Sequence, residues 1–287
     1  MSSTPALDEA FARCEALARA HYENFPVGLF VPKDKRPYVH ALYAFMRTAD
    51  DFADEPAYEG QRSERLDEWA ARLDAAYAGR AEGPIFVALA ETVRRLTIPQ
   101  ALLTDLLSAF RQDTTKRRYE TWDEVLDYCR RSANPVGRLV LLVFGYRDRE
   151  LELLSDRVCT ALQLANHWQD IAVDLAKDRI YVPRECLEAY RVSEDDLKAA
   201  RVDEPFRALL RDLVARTRSL FAEGRPLCER VGRDLRFELR LTWLGGVGIL
   251  DRIEANGYDI FRRRPQHGLV DKAGLAWRAW RWRPVAA

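Results

Sequence analysis

The chain has 287 residues, and its 45 Lys+Arg against 45 Asp+Glu leave no formal charge, so it lacks the broad basic field that nucleic-acid binding requires. A hydrophobic share of 48% beside 31% charged residues excludes a disordered chain and is enough to fill a core. Five scattered cysteines with no CxxC pair support neither a disulfide framework nor a zinc site.

Apolar residues recur at three- and four-residue spacing and alternating β-branched runs do not, which predicts an all-α chain. Helices are expected over 6–20, 36–54, 61–78, 84–95, 99–110, 121–132, 135–144, 150–176, 205–230 and 234–256. Thr121 to Glu124 and Ser193 to Asp196 have capping-box form, and Pro99 and Pro135 sit where a first helical turn tolerates them. No linker or composition break divides the sequence, so a single domain over 1–287 is expected. The longest apolar run, Leu139 to Phe144, falls far short of the roughly 18 residues of a membrane span. The first residues lack the basic start and apolar stretch of a signal peptide, and the chain reads as cytoplasmic.

Two helical segments carry the chemistry. In Tyr43-Ala-Phe-Met-Arg-Thr-Ala-Asp-Asp-Phe-Ala-Asp54, the residues Tyr43, Arg47, Asp50 and Asp54 fall at about 0°, 40°, −20° and 20° around a helix, on one stripe. In Gln163-Leu-Ala-Asn-His-Trp-Gln-Asp-Ile-Ala-Val-Asp174, the residues Gln163, Asn166, Asp170 and Asp174 fall at about 0°, −60°, −20° and 20°. One DxxxD alone is ordinarily a solvated helix face. Two of them, each in phase with other polar groups, suit a hard divalent cation that keeps waters and bridges to a diphosphate. Arg179 and Tyr181 follow the second stripe closely enough to reach the same anion, although a charge run leaving a helix is more often solvent-facing.

These two segments resemble the aspartate-rich motifs of the squalene/phytoene synthase family, and the resemblance spans nearly the whole chain. Tyr128-Cys-Arg-Arg-Ser-Ala-Asn-Pro-Val-Gly137 resembles the segment whose leading tyrosine lines that family's active site, and Gly257-Tyr-Asp-Ile-Phe261 resembles its C-terminal signature. The resemblance implies an isoprenoid synthase fold, a helical bundle around one central cavity. It also implies an enzyme that processes prenyl diphosphates, with Mg²⁺ on Asp50, Asp54, Asn166, Asp170 and Asp174.

Asn24-Phe-Pro-Val27 together with Ser132-Ala-Asn-Pro135 departs from the commonest family pattern and is similar to the hydroxysqualene synthases of bacterial hopanoid biosynthesis. That branch implies presqualene diphosphate as substrate, water capture of a cyclopropylcarbinyl cation, no nicotinamide, and product handover to other squalene-pathway enzymes. Head-to-head condensation of two prenyl diphosphates, to presqualene diphosphate, squalene or phytoene, is the nearest alternative. A non-catalytic relative acting as an assembly factor is the more distant one.

In this reading Asp50, Asp54, Asp170, Asp174 and Tyr128 are catalytic, while Tyr43, Arg47, Lys116, Asn134, Gln163, Arg179 and Tyr181 bind substrate. Asn134 and Gly246 are candidates for holding, or making room for, the attacking water. The run Arg111 to Tyr119 is a basic lid or a solvated loop. His21, His40, His167 and His267 lack ligand spacing and are expected as capping, surface or core residues. The tail Trp277-Arg-Ala-Trp-Arg-Trp-Arg283 has a composition fit for a membrane interface, which would place the protein peripherally on the inner face of the membrane; a packed segment is the equal alternative.

Overall fold

A computed structural model describes residues 5–20 and 31–282. In chain order the helices are α1 (Pro5–Ala20), α2 (Arg36–Asp54), α3 (Arg62–Tyr77), α4 (Pro84–Leu96), α5 (Gln100–Asp113), α6 (Trp122–Ser132), α7 (Asn134–Val143), α8 (Arg149–Gln169), α9 (Ile171–Ala176), α10 (Arg184–Ala189), α11 (Glu194–Lys198), α12 (Glu204–Gly224), α13 (Leu227–Arg230), α14 (Arg233–Ala255) and α15 (Leu269–Trp280). Among the described residues there is no strand, only one isolated parallel bridge between Arg118 and Ile180. None of these helices is long and apolar enough to cross a membrane. The all-α expectation is met; His21, Asn24 to Val27 and Arg283 lie outside the described residues.

The chain gathers into two compact units, each drawn from two stretches: Met1–Thr115 with Pro135–Asp148, and Lys116–Asn134 with Arg149–Ala287. In the first unit α2 is the hub, packed against α1, α3, α4 and α5. It starts at a proline, where a missing N–H breaks no helical bond. Its residues Leu42, Phe45, Ala49 and Ala53, at three- and four-residue spacing, enter a core with Leu66, Trp69, Phe86 and, from α7, Leu139 and Leu142. Trp69 stacks on Phe45 with ring centroids 5.9 Å apart and donates its indole N–H to the Phe45 carbonyl at 3.3 Å.

In the second unit α8 packs along α12 and also meets α6, α13 and α14, while α15 lies on α14. Trp168, Phe206, Leu209, Leu210 and Phe221 are buried there. The Trp168 indole donates to Thr217 Oγ1 at 2.9 Å, and Thr217 donates to the Leu213 carbonyl at 2.7 Å, so these buried polar groups are matched.

Two long predicted helices are interrupted. The segment expected over 150–176 breaks at Asp170, whose φ and ψ are −106° and 10°. The segment expected over 205–230 ends at Gly224: Arg225 keeps helical angles, φ −55° and ψ −36°, but Pro226 has no N–H to donate to the Ala222 carbonyl one turn back. The Ser193–Asp196 capping box is complete. At Thr121 only half forms: Thr121 accepts from the Glu124 N–H, while the Glu124 carboxylate turns to the Glu120 N–H at 2.8 Å.

Candidate active site

On α2, the face opposite the core presents Tyr43, Arg47, Asp50 and Asp54, all half-buried. Arg47 Nη1 donates to Asp50 Oδ2 at 3.1 Å, and Nη2 lies 2.5 Å from Asp51 Oδ1 and 3.7 Å from Glu55 Oε1. The stripe predicted from sequence is present, and Asp51 and Glu55 extend it. Their spacing of four and eight residues from Arg47 was the available signal. Burial raises the Tyr43 phenol, Arg47 pulls it back, and Asp50 and Asp51 raise it further, so Tyr43 stays a neutral hydrogen-bond donor.

In the second unit, Asn166 is exposed and Gln163, Asp170 and Asp174 are half-buried, whereas their neighbours His167, Trp168 and Gln169 are buried. Despite the break, Asp170 N–H donates to the Asn166 carbonyl at 2.9 Å and Asp174 N–H to the Asp170 carbonyl at 2.8 Å, keeping the polar residues one turn apart. Arg264 reaches Asp170 from 94 residues away, Nη2 donating to Oδ2 at 3.0 Å and Nε to Oδ1 at 2.5 Å. Beside it, the Gln169 side chain donates to the Pro265 carbonyl. Neither contact was visible in the sequence.

The loop after α9 is clamped by the segment before α6. Ile180 N–H donates to the Arg117 carbonyl and Arg184 N–H to the Tyr119 carbonyl, both at 2.9 Å. Arg118 donates to the Asp178 carbonyl at 2.6 Å, to Asp178 Oδ1 at 2.7 Å and to Glu194 at 2.9 Å. This clamp holds Asp178 in the left-handed region, φ 55°, and the chain beyond it turns inward. Arg179 and Tyr181 are buried as a result.

Tyr181 stacks on His167 at 3.8 Å between ring centroids, and Tyr119 and Tyr128 lie 5.4 and 5.5 Å from Tyr181. Burial pushes the His167 imidazole down to about 3, so it is neutral, a core histidine as expected. Tyr119 and His167 join Tyr128 and Tyr181 in one aromatic cluster that sequence distance concealed.

Lys116 Nζ meets Glu124 Oε2 at 2.9 Å and lies over the Tyr119 ring. With Arg111 paired to Asp67 and Arg118 to Asp178 and Glu194, the Arg111 to Tyr119 run is not a bare basic lid, and Tyr119 is buried. Asn134 is buried and its Oδ1 accepts from Thr160 at 2.9 Å. Gly246 does not make room for water. A Cβ there would strike the Phe221 ring and come within 2.7 Å of Leu162, so this glycine permits close helix packing. Of the other histidines, His40 is buried and His267 Nε2 is 2.8 Å from the Gly245 carbonyl.

The donor chemistry fits Mg²⁺. Asp50, Asp54, Asn166, Asp170 and Asp174 offer only oxygen, the preference of a hard cation. No group of three or more His, Cys, Asp or Glu side chains is assembled as a metal cage among the described residues. Two carboxylates per stripe suit an ion whose remaining positions go to water and phosphate.

The profile of squalene/phytoene synthases matches residues 4–271. The chain belongs to the squalene/phytoene synthase family. Within it, the chain is 39% identical over 224 residues to a hydroxysqualene synthase of Rhodopseudomonas palustris, covering 77% of this chain and 75% of that one. A hydroxysqualene synthase of Sinorhizobium fredii is 40% identical over 232 residues, covering 79% and 77%. Among solved structures, squalene synthase HpnC from Alicyclobacillus acidocaldarius superposes with a TM-score of 0.85 at 45% identity, covering 89% of this chain and 97% of that one. The isoprenoid synthase fold expected from the motifs is thus the fold of this chain.

Proposed function

We propose that this family member is a hydroxysqualene synthase, converting presqualene diphosphate and water to hydroxysqualene and diphosphate. The observation that carries this reading is the 39–40% identity to two hydroxysqualene synthases over about three quarters of each chain. Both acidic stripes and their arginines support it.

Asp50, Asp54, Asn166, Asp170 and Asp174 would hold Mg²⁺, which when bound supplies positive charge to the departing diphosphate. Arg47, Lys116 and Arg179 bind the diphosphate oxygens, and Tyr43 and Gln163 hydrogen-bond to them. Fixed cations aimed at charge that grows on the leaving group stabilise the transition state more than the bound substrate. The C–O bond breaks with its electron pair on the diphosphate, leaving a cyclopropylcarbinyl cation. The ring faces of Tyr119, Tyr128 and Tyr181 stabilise that cation and exclude stray water while it rearranges. Thr160 fixes the Asn134 amide, so that Asn134 would hold the attacking water through its amide nitrogen. Water adds to the cation and loses one proton, and no hydride enters.

Incubation with presqualene diphosphate and Mg²⁺ in isotopically labelled water, without nicotinamide, tests this. The expected product is an alcohol carrying the label. Turnover of farnesyl diphosphate alone would favour head-to-head condensation, and squalene formed only with NADPH would favour a squalene synthase, the name borne by the Alicyclobacillus structure.

A further inference from the structure

Helix α15 has two unlike halves. Leu275 and Ala279 are buried against Leu241 and Leu244 of α14, with Trp243 and Trp282 packed beside them. The opposite half, at helical spacing, carries Val270, Ala273, Trp277 and Trp280, with Arg278 and Arg281 on its flank. Val270, Trp277 and Trp280 are 87%, 57% and 67% exposed, three of the five large apolar side chains most open to solvent among the described residues. The outer face of a surface helix is ordinarily polar, and this one is apolar.

Beside Val270 the acids Asp251 and Asp271 are paired with Arg218 and Arg252, and the tryptophan end of the face is basic. The groove between α14 and α15 is lined by Arg225, Arg278 and Arg281 with Trp243, Trp277 and Trp282, and no carboxylate lines it. Arg281 lies 5.6 Å from the Trp277 ring centroid and Arg225 4.6 Å from that of Trp282. The acid of α15, Asp271, is turned away onto Arg252 and the Gly268 N–H. Indoles beside guanidinium groups match the boundary of a bilayer, where rings meet acyl chains and cations meet headgroup phosphates.

We propose that the outer face of α15 docks on an anionic lipid bilayer, with Val270, Trp277 and Trp280 at the acyl boundary and Arg278 and Arg281 on lipid phosphates. A second copy of the chain would need a carboxylate-rich partner face. The bilayer brings both the anion and the apolar layer. This docking is independent of which prenyl diphosphate the enzyme uses.

The test is flotation of the full chain with phosphatidylcholine vesicles, with and without phosphatidylglycerol. The protein is expected to float with the anionic vesicles and to lose at least about tenfold in binding on pure phosphatidylcholine or in high salt. Trp277→Ser/Trp280→Ser and Arg278→Ser/Arg281→Ser should each reduce binding by about tenfold or more, with circular dichroism unchanged because these side chains are exposed. Equal flotation of wild type and both double variants would overturn the proposal. So would absence of vesicle binding with a dimer that the tryptophan variant dissolves, which would assign the face to self-association.

Discussion

Arg264 grips Asp170 with two nitrogens, Nη2 on Oδ2 at 3.0 Å and Nε on Oδ1 at 2.5 Å. That bond pushes the Arg264 guanidinium further up, so the arginine is a fixed cation on one of the carboxylates assigned to metal. A divalent ion that takes Asp170 must displace it. Arg264→Gln is therefore expected to tighten Mg²⁺ binding, measured calorimetrically without substrate, by about 3- to 10-fold, since a partly exposed pair is worth ~1 kcal/mol. An unchanged Kd would remove Asp170 from the metal site.

The catalytic reading of the two stripes rests on charge rather than volume. Asp50→Asn and Asp174→Asn keep the side-chain size and delete the charge. Each is expected to lower kcat on the order of 10²–10³ while leaving the far-ultraviolet circular dichroism unchanged. Full turnover by either variant would point to a non-catalytic role for its stripe.

Gly246 separates packing from catalysis. Because its missing Cβ is covered by Phe221 and Leu162, Gly246→Ala overpacks the second unit and should cost about 1–3 kcal/mol. A fall in Tm of about 2–10 °C is expected in calorimetry. An unchanged Tm accompanied by a new product ratio would instead indicate open space at this glycine.

His167 ties stability to acidity. Its imidazole titrates at about 3 in the folded protein, against about 6.5 for an ordinary histidine. Above the higher value both states are neutral and the full contribution is present. Between the two values only the unfolded chain takes the proton, so stability falls as the pH drops from about 6.5 towards 3, by about 1.4 kcal/mol per pH unit. His167→Phe keeps a ring on Tyr181 and abolishes this dependence. Urea unfolding of both proteins between pH 7 and pH 5 should show the wild type losing ground to the variant, and parallel pH profiles would contradict it.

Local signals in the sequence carried most of the fold. Both ends of α2 were legible, because Pro37 marks its start and Leu42, Phe45, Ala49 and Ala53 repeat at helical spacing. The end of α12 was also written locally, in Gly224-Arg-Pro226, though the periodic pattern ran across it. The break at Asp170 was not, since no glycine or proline marks it, and the partners of Asp170 and of its neighbour Gln169, Arg264 and Pro265, come from 94 and 96 residues away. The same holds for the aromatic cluster. Tyr128 and Tyr181 were singled out, but their contacts with Tyr119 and His167 arise from three separate stretches that only the folded chain joins. Periodicity reports which residues share a face; it carries no information about what crosses over to meet them.

The two units trade segments along the chain: Lys116–Asn134 belongs with the later residues and Pro135–Asp148 with the earlier ones. A ribosome that has delivered residue 115 has not yet supplied Leu139, Leu142 and Val143, which complete the first core. Helix α6 likewise emerges before α8, on which it packs. A single cut after residue 115 splits the first unit, a cut after 148 splits the second and a cut after 134 splits both, so no single cut gives two complete units each carrying its own stripe. Gene fission at any of these junctions would break at least one stripe-bearing unit, which favours inheritance of the two stripes in one continuous chain.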